Sequence, residues 1–107
     1  MTYSVVFSPE ASEDLLHIYR YIAKEASPAI AQRFTDGIVN HCERLREFPA
    51  RSIRRDDIRP GLHITHHKGR VVIALTLEGN QVSIIGLFYG GCDYESLLQL
   101  DLDEFGI

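Results

Sequence analysis

The sequence predicts an α+β domain of two layers, in which a helical hairpin covers one face of an antiparallel β-meander. Two runs rich in β-branched residues lie between Val71 and Tyr89, and only Glu78-Gly79-Asn80 separates them. A connection this short forms a hairpin and leaves no room for the crossover helix that parallel strands need. Upstream, two segments repeat apolar residues at steps of three and four, which indicates helices that bury one face. A length of 107 residues fits one domain, 1–107.

Both helices begin with the same signal, a serine followed by a proline. After a short first strand from Tyr3 to Phe7, Ser8-Pro9 and Ser27-Pro28 each supply an N-cap and a proline suited to the first helical position. The predicted core stripes are Ala11, Leu15, Ile18 and Ile22 in the first helix, and Ile30, Phe34, Ile38, Cys42 and Leu45 in the second. Phe48-Pro49 should end the second helix, because a residue before proline avoids helical geometry.

The remaining strands follow in order along the chain. Leu62 to His67 alternates as a half-exposed strand, and Lys68-Gly69 turns into the hairpin. Alternation in the last strand predicts one face with Val82, Ile84, Gly86 and Phe88, and another with Ser83, Ile85, Leu87 and Tyr89. Gly90-Gly91 should break this strand, and Cys92 to Glu95 should open a short C-terminal helix.

Charge is segregated along the chain although the net value is −4. Eight of the 11 Lys and Arg lie between Arg44 and Arg70 against three acids, so that segment carries +5, and no cation follows Arg70. Such a basic segment suits an acidic protein partner or a phosphate backbone, although a solvated Arg-rich loop has the same composition. No apolar run approaches the roughly 20 residues that span a bilayer, and the first residues show no basic-then-apolar leader pattern. We therefore expect a cytoplasmic protein with free thiols and no membrane partner.

Residue chemistry alone predicts neither a catalytic site nor a cofactor or metal site. His63 and His67 share a strand face but lie about 13 Å apart, too far for one ion. Cys92 has no base or positive field beside it to lower its pKa. Tyr89, Tyr94 and the arginines are residue types that phosphodiester cleavage uses, yet no general base is placed by spacing.

Several motifs together resemble the RelE/ParE superfamily of type II toxins over nearly the whole chain. These are Ser8 to Ala11, Ile18 to Ala23, Phe48-Pro49, Arg55 to Leu62 and Phe88 to Gly91. The resemblance implies a plasmid-stabilisation toxin that a cognate, ParD-like antitoxin from the same operon neutralises. An apolar groove between the helical hairpin and the sheet, with the Arg44 to Arg70 segment, should receive an acidic and apolar segment of that antitoxin.

The superfamily contains two classes of target, and this chain departs from the nuclease class. RelE-like members cleave messenger RNA in the ribosome with basic residues, whereas ParE-like members inhibit DNA gyrase. Here the last strand and tail lack Lys and Arg, and Cys92 and His63 stand where relatives often carry Arg. A nuclease needs cations near the scissile phosphate. We therefore favour a ParE-like toxin that does not bind nucleic acid directly. The candidate contacts with the target or antitoxin are Arg55, Arg59, Arg70, Tyr89, Cys92 and Tyr94, with Arg70 included as the last cation of the chain. The alternatives are a RelE-like endoribonuclease, and a detoxified or generic interaction module.

Overall fold

The computed structural model of the chain describes residues 3–47 and 49–90, and over these it confirms the predicted α+β class. The five-stranded sheet has the order β1-β5-β4-β3-β2, with β1 parallel to β5 and the other pairs antiparallel. The C-terminal helix predicted from Cys92 lies outside the described residues. The elements are β1 (Ser4–Phe7), α1 (Pro9–Glu25), α2 (Pro28–Arg44), a 3-10 turn (Pro49–Arg51), β2 (Ile53–Arg54), β3 (Leu62–His67), β4 (Val71–Glu78) and β5 (Gln81–Tyr89).

Both helix starts are formed as the serine–proline signal predicts. The Ser8 hydroxyl accepts a hydrogen bond from the Ala11 backbone N–H at 3.0 Å, and the Ser27 hydroxyl accepts one from the Ile30 N–H at 3.2 Å. Each cap satisfies a backbone donor that the first helical turn leaves without a partner. At its other end α2 stops at Arg44, earlier than Phe48-Pro49, because the chain tightens there into i→i+3 hydrogen bonds donated by residues 45–47.

The main core lies between the helical hairpin and one face of the sheet. Its members include Ile18 and Ile22 of α1, Ile38 and Cys42 of α2, and a row of strand residues formed by Val71, Ile73, Leu75, Val82, Ile84 and Leu87. The stripe predicted for α2 was wrong at its first position, since Ile30 is 47% exposed and Ala31 is buried instead. The buried face of α2 is rotated by one residue in its first turn, which turns Ile30 towards the outside.

A β-bulge in β5 overturns the predicted alternation of that strand. Leu75 pairs with Ile84 and Ala74 pairs with Gly86, so Ile85 has no opposite residue on β4. An extra residue reverses the face of every side chain beyond it. Leu87 therefore joins Val82 and Ile84 in the helix-facing core, contrary to the strict alternation.

A smaller cluster occupies the sheet face away from the helices. Ile58 from the segment before β3 covers Leu62, Ile64 and Ala74, with the half-buried Val72, Ile85 and Phe88 around them. In the described part of the chain, no helix is both long and apolar enough to cross a membrane.

Candidate partner-binding groove

An open groove of about 320 Å³ lies where the end of α1, the first turns of α2 and the end of β5 meet. We call it the aromatic groove; its lining residues are Tyr21, Ile22, Glu25, Ala26, Ile30, Phe34, Arg70 and Tyr89. Tyr21 and Ile30 are among the most exposed large apolar side chains of the described residues, at 55% and 47%. Apolar surface that converges on a concavity marks a site for a ligand or a protein partner.

Five rings in contact connect this groove to the interior of the domain. The ring centroids of Tyr21 and Tyr89 are 5.8 Å apart, those of Tyr89 and Phe34 are 5.7 Å apart, and those of Phe34 and His67 are 5.8 Å apart. His67 then contacts His41 of α2 at 5.2 Å. All four contacts are tilted or edge-to-face, the geometry that aromatic quadrupoles favour. The bulge in β5 places Tyr89 on the helix side of the sheet, where it can join this row.

Arg70 supplies a cation at the edge of the groove. It precedes β4, and its carbonyl accepts a hydrogen bond from the Gly90 backbone N–H at 3.1 Å. This bond continues the β4–β5 pairing beyond Val71 and Tyr89, at the open end of the hairpin. Glu25 lines the same groove, yet no ion pair within 4.0 Å joins Arg70 to any acid in residues 3–47 and 49–90. The guanidinium is therefore available to a carboxylate brought by a partner.

A second groove of about 380 Å³ lies beside the open half of β5. Strand β1 ends at Phe7, opposite Ile84, so among the described residues no strand flanks β5 on that side from Ile85 onward. Helix α1 lies there instead, and the Asp14 carboxylate accepts a hydrogen bond from the Leu87 N–H at 3.1 Å. Burial raises the pKa of Asp14 above its usual 3.8, against the lowering effect of that hydrogen bond. Tyr21 and Tyr89 line both grooves and form the ridge between them.

Of the predicted contact residues, the structure brings Arg70 and Tyr89 together and places Arg55 and Arg59 elsewhere. The Arg55 N–H bonds to the Leu62 carbonyl and the Arg70 N–H to the His67 carbonyl, so the two regions lie at opposite ends of β3. Those ends are about 17 Å apart at ~3.3 Å per residue. Cys92 and Tyr94 lie outside the described residues.

Two arginines at the end of β2 and directly after it, Arg54 and Arg55, are paired with neighbouring acids. Arg55 forms a bidentate pair with Asp57, with two N–O distances of 2.9 Å, and Arg54 pairs with Asp56 at 2.6 Å. The Arg55 hydrogen bonds lower the pKa of Asp57, and the Gly61 N–H lowers that of Asp56 ahead of Arg54. The basic segment seen in the sequence thus consists partly of neutralised pairs, which spacing alone does not reveal.

The two histidines that the sequence places on one face of β3 have separate partners. His63 lies within 3.2 Å of the Ser52 hydroxyl, whereas the Nδ1 of His67 lies 3.0 Å from the Nδ1 of His41. No three His, Cys, Asp or Glu side chains within residues 3–47 and 49–90 converge as a metal site would require. Burial raises the pKa of the Cys42 thiol to about 12, with Glu43 adding to the effect, so this cysteine stays protonated and unreactive.

Two solved structures from toxin–antitoxin systems share this fold. The chain is similar to a chain of the chromosomal ParDE toxin–antitoxin system from P. aeruginosa, with 19% identity and a TM-score of 0.72, over 82% of this chain and 96% of that one. It is also similar to a chain of the RelBE2 toxin–antitoxin complex from Mycobacterium tuberculosis, with 18% identity and a TM-score of 0.63, over 84% of this chain and 100% of that one. No curated protein sequence matches the chain.

The family model for the ParE toxin of the type II toxin–antitoxin system parDE matches residues 5–94. The chain belongs to this ParE toxin family, and the superfamily expected from the sequence motifs is confirmed. It is therefore a type II toxin by family.

Proposed function

We propose that a cognate antitoxin neutralises this toxin by inserting an apolar segment into the aromatic groove. One observation carries the proposal. Tyr21 and Ile30 expose apolar surface beside the half-buried Phe34 and Tyr89, and Arg70 stands at the same groove with no carboxylate from the described residues. Burial of this surface by a partner would be favourable in water, at about 25 cal/mol for each Å².

The groove defines the chemistry of its occupant. A segment with an apolar anchor for the aromatic ridge and an Asp or Glu for Arg70 satisfies both features. The open half of β5 offers a second mode, in which an extended segment lies in the second groove beside Leu87 to Tyr89. The matched ParDE and RelBE2 structures are toxin–antitoxin systems, which supports an antitoxin as the partner.

Truncation of the ridge tests the apolar part of this site. Tyr21→Ala should weaken the complex with the product of the adjacent antitoxin frame by roughly 10- to 30-fold, since buried tyrosines are frequent hot spots. Leu16→Ala is the matched control, because Leu16 is also on α1 and 45% exposed but lines neither groove. Isothermal titration calorimetry gives both dissociation constants. Equal effects of the two substitutions would remove the aromatic groove from the interface.

Charge reversal tests the polar part. Arg70→Glu should weaken binding about tenfold or more and reduce its salt dependence, whereas Arg54→Glu, an exposed arginine already paired with Asp56, should change little. The double variant Arg55→Glu/Arg59→Glu examines whether the far end of β3 forms a second contact. An affinity that is insensitive to Arg70→Glu would exclude the carboxylate pairing.

We further propose that the toxin acts on DNA gyrase rather than on messenger RNA. Strands β3, β4 and β5 contain no Lys or Arg, and the sheet face away from the helices is occupied by Ile64, Val72 and Phe88. These three strands therefore place on that face no Lys or Arg that could stabilise a phosphodiester transition state. Arg55, Arg59, Arg70 and the tail from Cys92 onward, including Tyr94, are the candidate gyrase contacts.

Controlled expression separates the two targets. Gyrase poisoning should induce a DNA-damage response and filamentation, and the purified toxin should inhibit supercoiling, while messenger RNA on translating ribosomes stays intact. Deletion of residues 94–107 should abolish the inhibition if the tail is a contact. Ribosome-dependent cleavage of messenger RNA with normal gyrase activity would replace this proposal by the endoribonuclease alternative.

A further inference from the structure

His41 and His67 share a single hydrogen bond between two Nδ1 atoms that are 3.0 Å apart. A neutral imidazole carries one N–H and one bare nitrogen, so one ring must donate and the other must accept. His67 is buried at 6% exposure, and its Nε2 is a buried atom with no hydrogen-bond partner in residues 3–47 and 49–90. This orphan nitrogen determines which ring donates.

The packing around Nε2 of His67 assigns the tautomer. A Cβ at Gly37 would lie 3.3 Å from this atom, so α2 closes over it with a residue that has no side chain. A buried N–H without an acceptor costs about 1–3 kcal/mol, and orphaned N–H groups are rarer in proteins than bare acceptors. Nε2 therefore carries no proton, and His67 donates its Nδ1–H to the Nδ1 of His41. His41 in turn carries its proton on Nε2.

The same orphan atom argues against a metal ion between the two rings. Coordination through both Nδ1 atoms would force the proton of His67 onto Nε2, where it has no acceptor, although metal-bound histidines normally donate that proton to a partner. The ionised groups acting on the pair are cations: Arg44 on α2, Arg51 on the 3-10 turn and Lys68 after β3. Val71, the β4 residue paired with His67, is apolar. The surrounding groups therefore act on the protonation of the two rings and do not prepare them to bind a metal ion.

Burial is the main cause that lowers the pKa of both rings below the usual 6.5. The charges of Arg44 and Arg51 add to it for His41, and those of His41, Lys68 and Arg44 add to it for His67. A lowered pKa in the folded state means that the unfolded chain binds protons first as the pH falls. The stability from the neutral pair is therefore present above pH 6.5 and lost as the pH falls through the folded-state pKa values.

We propose that the His41–His67 pair is an acid-sensitive latch that fastens α2 to the end of β3 and controls the shape of the aromatic groove. Proton uptake places an N–H on the buried Nε2 of His67 or breaks the Nδ1–Nδ1 hydrogen bond, and either event drives the ring outward to reach water. His67 contacts Phe34, and Phe34 contacts Tyr89, so this movement withdraws support from two rings that line the groove. The effect on antitoxin binding rests on the proposed function, whereas the latch belongs to the toxin alone.

Nitrogen-15 NMR of the histidine-labelled free toxin tests the latch without a partner. At pH 7.5 the spectrum should show the proton of His67 on Nδ1 and that of His41 on Nε2. Between pH 7.5 and 5.0, proton uptake by the pair should coincide with shifts of the Phe34 and Tyr89 ring signals. A His67 proton on Nε2 at pH 7.5, or uptake that leaves the two ring signals unchanged, would overturn the proposal.

The pH dependence of antitoxin binding tests whether the His41–His67 pair is coupled to the aromatic groove. The dissociation constant should rise towards tenfold per pH unit for each proton taken up. The double variant His41→Asn/His67→Asn replaces the rings by amides that can hydrogen-bond at the Nδ1 positions but do not titrate, so it should flatten this slope. His66→Asn, at an exposed neighbour, should keep the wild-type slope. Equal slopes in the wild type and the double variant would refute the coupling, and the proposed antitoxin site would be unaffected. Absence of binding at every pH, with the NMR transition present, would refute the proposed function alone.

Discussion

The Asp14–Leu87 hydrogen bond gives a sharp test of how α1 replaces a strand beside β5. Leu87 is 4% exposed, and its N–H lies 3.1 Å from the Asp14 carboxylate because β1 has already ended. Asp14→Ala removes this acceptor and leaves a buried N–H, which costs about 1–3 kcal/mol. In a domain near this size, the melting temperature should fall by roughly 4–8 °C for each kcal/mol.

The conservative variant Asp14→Asn separates the hydrogen bond from the charge. Its side-chain oxygen still accepts a hydrogen bond from the Leu87 N–H, while the partly buried negative charge is gone. Burial raises the pKa of Asp14, so folding favours the protonated form; the resulting stability is full below pH 3.8 and is lost as the pH rises through the folded-state pKa. Asp14→Asn should therefore match the wild type near pH 3 and equal or exceed its stability at pH 7.

Urea denaturation followed by circular dichroism at the two pH values measures these free energies of unfolding. Glu13→Gln is the matched control, since Glu13 is the exposed neighbour on the same helix and should not change the pH dependence. If Asp14→Asn lost as much stability at pH 7 as Asp14→Ala, the carboxylate charge would be the stabilising element. The account of a hydrogen bond opposed by burial would then be wrong.

Four further substitutions probe the core, the β5 bulge and the caps by the same denaturation assay. Ile38→Ala should cost 2–5 kcal/mol because Ile38 is completely buried between helix and sheet. Gly86→Ala should cost about 1–3 kcal/mol, since the new Cβ would lie 2.9 Å from the Phe88 ring. Ser27→Ala should cost about 1 kcal/mol as a lost cap. Ser8→Ala should cost more than Ser27→Ala, because the Ser8 hydroxyl also bonds to the Ile85 carbonyl at 3.4 Å.

Local signals predicted the elements of this fold well. The Ser8-Pro9 and Ser27-Pro28 starts, the amphipathic stripe of α1 and the β4–β5 hairpin all depend on neighbours within a few residues, and each is formed as expected. The core positions of α1 follow the same periodicity, with Ala11, Ile18 and Ile22 buried.

The groove was predictable only in outline, because its parts depend on contacts distant in sequence. A bulge has no pattern of its own when both faces of a strand are apolar, so Ile85 gave no sign that Leu87 would face the helices. The pairing of His67 with His41 spans 26 residues and two elements, which periodicity cannot relate. Exposure of Ile30 follows from the rotation of α2 in its first turn. Tyr89 was chosen from the family resemblance and Arg70 as the last cation of the chain, and it is strand register that brings them together.

The early end of β1, the bulge and the groove form one structural unit. Once Ser8 caps α1, the chain leaves the sheet opposite Ile84. The Ser8 hydroxyl and the Asp14 carboxylate then bond to the backbone of β5, where further β1–β5 pairs would otherwise follow the four that form. Because the bulge lies inside this region, Tyr89 reaches the helix side and completes the row of rings from Tyr21 to Phe34. A change that removes the bulge would return Tyr89 to the opposite face and dismantle the groove. The polar groups at the start of α1 thus link the stability of the sheet to the surface offered to a partner.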